Sequence, residues 1–139
     1  MAIGPFLDGY VMFNGTVLSD HAESIEVNMG YDDVEITAMG ATAHSFTPGL
    51  RQDAITINYY QDFAAGKVDA THVAFLGSSA GASLVVKPTS GTTSATNPSY
   101  TMVATIYTYQ PLAGSVGEAS MTSVEYRPAA GGAIVRATI

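Results

Sequence analysis

From residue 24 to residue 29 apolar and polar side chains alternate without a break, with Ile25, Val27 and Met29 on one parity and Ser24, Glu26 and Asn28 on the other. A period of two is what a strand with one buried and one wet face requires, and a helix with faces repeating near 3.6 residues cannot use it. Val34 and Ile36 continue the alternation. With residues 29–32 as the loop, positions summing to 61 pair, so that Val27 faces Val34, Ile25 faces Ile36, Asn28 faces Asp33 and Glu26 faces Glu35. One face of this expected hairpin is core and the other is acidic.

The rest of the chain has the same grain. Tyr10-Val11-Met12-Phe13 and Val17-Leu18 flank Asn14-Gly15, a strong signal for a two-residue hairpin turn. The glycosylation triplet Asn14-Gly15-Thr16 therefore reads as a turn. Further strands are expected at residues 54–60, 84–87, 100–110, 118–126 and 133–138, with a Pro/Gly turn at 111–117. Only one segment has helical spacing: Val68, His72, Phe75 and Leu76 fall at i, i+4, i+7 and i+8, with Asp69 in the first turn and Gly77 as the stop. Residues 40–49 lose all periodicity and read as a long exposed loop, a kind of segment that is usually functional in compact domains. The fold class expected is mainly β, an antiparallel β-sandwich or barrel with one short flanking α-helix and that long loop. Its 139 residues fit one domain, 1–139.

Charge is one-sided. Seven carboxylates (Asp8, Asp20, Glu23, Glu26, Asp32, Asp33, Glu35) precede the first base, Arg51, and from Arg51 onward five acids balance five bases, so the net charge of -7 belongs to the N-terminal third. A surface held negative in this way faces something that must not adhere, and a polyanion such as DNA is the obvious candidate. Charged residues make up 12% of the chain, about half the usual share, which leaves a Thr/Ser/Ala-rich surface of the kind used in repeated protein contacts.

Several chemistries find no footing. There is no cysteine, hence no disulfide framework, thiolate metal site or Cys nucleophile. The opening Met-Ala-Ile-Gly-Pro-Phe-Leu lacks the basic and apolar regions of a secretory leader, and no run reaches the ~18 apolar residues of a membrane helix. A soluble protein made in a cytoplasm is expected, with no membrane partner. His21, His44 and His72 stand far apart and at no metal-ligand spacing; His72 reads as a partly buried helix residue and His44 as a loop-tip contact. Gly77-Ser78-Ser79-Ala80-Gly81 lacks the central serine of a nucleophile elbow, and Asp32-Asp33-Val34-Glu35 is not a calcium loop. No Gly-rich phosphate loop occurs, and five scattered bases make no nucleic-acid footprint. No enzyme, no cofactor and no metal site are expected.

The run Thr37-Ala38-Met39-Gly40-Ala41-Thr42-Ala43-His44-Ser45-Phe46-Thr47-Pro48-Gly49-Leu50-Arg51-Gln52-Asp53, followed by Gln61-Asp62-Phe63 and the helix, resembles the tail tube (major tail) proteins of long-tailed bacteriophages. In that family a Thr-x-x-Gly turn leads to a loop closing in Gly-Leu-Arg-Asp, then a strand and one helix; here Gln52 intervenes between Arg51 and Asp53. Residues 95–100 and 109–117 are similar to such proteins as well. The resemblance implies a structural subunit in a virion tail, assembled in the host cytoplasm into rings of six that stack into a hollow tube. Other tail proteins would be its partners, and DNA would pass through without specific binding. It also implies that Glu26, Asp33 and Glu35 face the lumen, where bases would bind phosphate and slow passage. Thr42, His44, Phe46, Pro48 and Arg51 would belong to an inter-subunit loop. Two rival readings remain: another virion structural protein, such as a capsid-decorating protein or a tail-tip ring, or a carbohydrate-binding β-sandwich stacking sugars on Tyr59, Tyr60, Tyr107 and Tyr109.

Overall fold

The computed structural model describes residues 8–139. The opening residues 1–7, read above as no secretory leader, lie outside it. In chain order the elements are β1 (Tyr10–Phe13), β2 (Thr16–Val17), a 3-10 turn (Ser19–His21), β3 (Ala22–Glu35), β4 (Phe46–Tyr60), α1 (Val68–Val73), β5 (Ala82–Lys87), β6 (Ser99–Thr105), β7 (Met121–Pro128) and β8 (Val135–Ala137). All strands belong to one antiparallel sheet of order β2-β1-β5-β6-β7-β4-β3, with β8 added beside β6. The sheet ends on β2 and β3, so it does not close into a barrel. The mainly β class with one short helix therefore holds, in the sandwich sense.

Strand β7 makes the fold-over possible. Its residues from Met121 to Tyr126 pair with β4, while Arg127 and Pro128 pair with β6. The two halves it joins face each other across a single core: Ile55, Ile57, Tyr59, Val124 and Tyr126 from one, Val11, Phe13, Leu84, Met102 and Ala104 from the other. Each fully buried Val, Leu, Ile or Phe among them contributes roughly 1.5–3 kcal/mol. The Asn14-Gly15 turn forms as expected, both residues having positive φ (52° and 77°), with Met12 paired to Val17 and Phe13 to Thr16.

Three expectations need correction. First, no loop forms at residues 29–32: β3 runs 14 residues without turning back and pairs with the 15-residue β4, Val27 opposite Ile55 and Ile25 opposite Ile57. The apolar alternation of Val34 and Ile36 belongs to this same strand and its exit. The connecting loop is then 36–45, and Phe46 and Pro48 lie in β4. Pro48 is tolerated because the β4–β7 ladder begins only at Ile55, leaving that stretch of β4 paired on one side. Second, α1 ends at Val73. Val68 is buried as expected, but Phe75 is only half-buried and Leu76 is exposed, because Leu76 leaves the helix for a single bridge to Ile106. Third, β6 stops at Thr105. Beyond it Tyr109 turns its hydroxyl to donate to Asp69 Oδ1 (3.0 Å) and to accept from Gln61 Nε2 (2.9 Å), which no continuing strand would permit.

Candidate assembly surface

Past Ala54 and Asn28 the β3–β4 ribbon leaves the body and projects. Met29, Tyr31, Val34, Ile36, Met39, Phe46 and Leu50 are all exposed along it, and Met39 and Leu50 are 103% and 80% accessible. A stable lone subunit does not normally hold so many large apolar groups in water on one slender element. This arm is the most conspicuous unsatisfied surface of the described chain.

Its two faces differ. Up to Tyr31, even-numbered β3 residues oppose even-numbered β4 residues: Ser24 with Asn58, Glu26 with Thr56, Asn28 with Ala54, Gly30 with Gln52. The next strand extends this face, with Asn58 opposite Ser123 and Thr56 opposite Glu125. The result is a broad polar surface of Ser, Thr, Asn and Glu, on which Arg127 Nε meets Glu125 Oε1 at 2.7 Å. Asp32 continues the parity and receives a hydrogen bond from Gln52 Nε2.

A bulge between Tyr31 and Asp33 changes the β4 parity, and Asp33 then opposes Pro48 and Glu35 opposes Phe46. Asp33 and Glu35 thus stand on the alternation of Tyr31, across the ribbon from Glu26. Nine residues also separate Glu26 from Glu35 along one strand, roughly 30 Å at about 3.3 Å each. The expected trio of Glu26, Asp33 and Glu35 is not brought together, because the register that grouped them assumed a turn that does not form. Glu35 instead hydrogen-bonds the His44 ring and Thr37 Oγ1 (2.9 Å), which together hold its carboxyl below the usual range.

Of the five expected loop residues, Thr42 and His44 lie in loop 36–45, with the His44 and Phe46 rings 6.2 Å apart. Phe46 and Pro48 are strand residues on the arm. Arg51 is not in the loop at all: it sits at the arm's root, its Nε 2.9 Å from the fully buried Asp53 carboxylate and its guanidinium 5.5 Å from the Tyr31 ring centroid. Asp53, the last residue of the run that carries the tail-tube resemblance, is buried here rather than solvated. Its position two residues ahead of Ile55 on the inward parity was the signal that a carboxylate enters the core.

An open groove of about 930 Å³ runs beside that root, lined by Asn28, Arg51, Arg127, Tyr107 and the loops 77–79 and 129–133. Among the described residues no three His, Asp or Glu side chains converge as metal ligands.

The histidines do structural work. His72 is fully buried rather than partly so, donating from Nδ1 to the Val68 carbonyl (2.6 Å) and accepting at Nε2 from Tyr126, whose oxygen is 2.7 Å from the Tyr59 hydroxyl. His21 lies between Asp20 and Asp62, with each ring nitrogen 2.8 Å from a carboxylate oxygen. Tyr59 is buried and Tyr109 is committed to Asp69 and Gln61, so the tyrosines do not assemble a sugar-stacking platform.

No protein-family model and no curated protein matches the chain. Solved structures do. A chain of the SPP1 tail tube matches at 12% identity and TM-score 0.67, covering 97% of this chain and 80% of that one. A chain of the sheath–tube complex of PVC, an extracellular contractile injection system in its extended state, matches at 10% identity and TM-score 0.70, over 99% and 93%. A chain from the virion of a native gene transfer agent particle matches at 12% identity and TM-score 0.69, over 92% and 95%. The resemblance carried by residues 37–53 is met at the level of architecture: the chain has the fold of phage-like tail-tube proteins.

Proposed function

We propose that this protein is a structural subunit of a tail tube, without catalytic activity, that assembles head to tail into stacked rings around a DNA-conducting lumen. The observation that carries this reading is the arm: a ribbon with seven large apolar side chains exposed, on a fold shared over nearly its whole length with chains of tube assemblies. Within its own subunit the arm has nothing to bury against, and a neighbouring copy supplies it. Thr42, His44, Phe46 and Pro48 are its contact residues. Six copies per ring accord with the C6 symmetry of the gene transfer agent tail, whose chain matches this one at TM-score 0.69. Assembly takes place in the host cytoplasm, and the site of action is the virion tail.

For the lumen we assign the polar face of β3, β4 and β7, with Glu26, Asp32 and Glu125 as its carboxylates. Thr, Ser and Asn along the rest of it offer phosphate no net positive charge. Asp33 and Glu35, on the opposite face of the arm, belong to the inter-subunit contact. One other reading has a specific support: a chain of the anti-feeding prophage baseplate, 6-fold symmetrised, matches at TM-score 0.56, so a tail-tip ring is the alternative. Negative-stain microscopy of the purified protein tests both. Stacked tubes support the tube subunit, isolated rings the alternative, and a protein that stays monomeric at high concentration overturns the two together.

A further inference from the structure

The β4–β7 ladder begins at Ile55, so the three-stranded part of the sheet ends there and a two-stranded ribbon carries on alone. Two-stranded ribbons are weakly held and twist freely. A hinge is therefore expected between Ala54 and the arm. Asp53 stands at that point with no exposed side-chain surface. Its Oδ1 accepts from the Gly30 amide of β3 (3.2 Å), and its Oδ2 accepts from the Ile134 amide (2.7 Å) and from Arg51 Nε (2.9 Å). Arg51 Nη2 in turn donates to the Ile134 carbonyl (3.1 Å). Two side chains thus bind both strands of the ribbon to the backbone leading into β8, on the side that β7 has vacated.

We propose that Arg51 and Asp53 are positioning residues that lock the arm at one angle to the body and tie it to residue 134. A buried carboxylate with donors from three segments is costly to strand, so the ribbon cannot swing without breaking bonds that nothing replaces. Tyr31, under the Arg51 guanidinium, extends the lock one residue pair into the arm. Presenting the arm to a neighbour at a fixed angle is what the clip accomplishes in an assembling subunit. The role in assembly rests on the tube reading, but the angle itself does not.

The chain has no cysteine, so spin labels go only where they are introduced. Met39→Cys in the loop and Ser123→Cys on β7, both exposed positions, report the arm-to-body distance in dilute, unassembled protein. Pulsed dipolar spectroscopy should give one narrow distance distribution in this background. Asp53→Asn, and the milder Arg51→Gln, should broaden it at least twofold while near-ultraviolet circular dichroism keeps the signature of a packed core. Hydrogen exchange at the Ile134 amide should accelerate tenfold or more in each. A merely stabilising role would lower the melting temperature and leave the distribution narrow, and a narrow distribution in folded Arg51→Gln protein overturns the proposal even if Asp53→Asn fails to fold. Neither result depends on whether tubes form.

Discussion

His72 should make the unassembled subunit sensitive to acid in a window where few other groups act. Burial pushes its pKa down to about 4, only partly opposed by the Val68 carbonyl and by Asp69, whereas in the unfolded chain it returns to about 6.5. The unfolded chain therefore binds the proton more readily. Stability is at full value above pH 6.5 and is lost as pH falls from there toward 4. The gap from about 6.5 to about 4, at about 1.4 kcal/mol per pH unit, amounts to about 3.5 kcal/mol in full, of which about 3 kcal/mol is lost by pH 4. For a chain of this size that is a fall in melting temperature of about 10 °C. His21 does not offset it. Burial there is outweighed by hydrogen bonds to Asp62 and Asp20, which raise its pKa, so its contribution is complete below pH 6.5 and is lost only as pH rises through the folded value. Thermal unfolding of wild-type and His72→Gln protein between pH 7 and pH 4 isolates the effect. The variant should begin less stable and lose about 3 kcal/mol less across the window. An imidazole resonance of His72 titrating near 6.5, or equal slopes for the two proteins, would refute the reasoning.

Phe13→Ala should cost roughly 3–5 kcal/mol in chemical denaturation, since Phe13 is fully buried with Tyr126 at 5.1 Å and His72 stacked at 5.4 Å; the half-buried Phe75 should cost clearly less when truncated. At Gly49 an added Cβ would lie 2.7 Å from Val34 Cγ2 and 3.3 Å from the Asp32 carbonyl, so Gly49→Ala should loosen the bulge by about 1–3 kcal/mol, read as faster hydrogen exchange confined to the arm. Reversing charge on the proposed lumen face with Glu26→Lys and Glu125→Lys should yield tubes that retain DNA at low salt and release it at high salt, whereas Asp33→Lys with Glu35→Lys should disturb assembly instead. The opposite pairing of outcomes would exchange the two faces.

Local chemistry was legible wherever a turn or a period decided the structure on its own. Asn14-Gly15 set the first hairpin, and the parity of Ile25 and Val27 named their buried face, because neither depends on the partner strand. Register was not legible. Val34 and Ile36 satisfy a short hairpin's alternation as well as a long strand's, and only β4, in which Thr47 pairs with Val34, selects between them. The same ambiguity moved Phe46 and Pro48 from loop to strand and separated Glu26 from Asp33 and Glu35. The burial of Asp53 was not legible because a lone carboxylate before a strand looks solvated; the donors that justify it come from Gly30 and Ile134, distant in sequence.

The acidic N-terminal third acquires a second meaning from this register. Five of its carboxylates, Glu23, Glu26, Asp32, Asp33 and Glu35, fall on β3, which is the end strand of the sheet for its full 14 residues. A long open edge with apolar neighbours invites random strand pairing, and like charge along it is a recognised defence. Two identical β3 edges therefore repel, which disfavours the symmetric edge-to-edge dimer that leads nowhere. A different edge or face of another copy, without that density of acid, meets no such barrier. In the tube proposed above, head-to-tail contact, the geometry that builds rings and stacks, would thus be favoured by charge, and the β3 carboxylates would act during assembly as well as toward DNA.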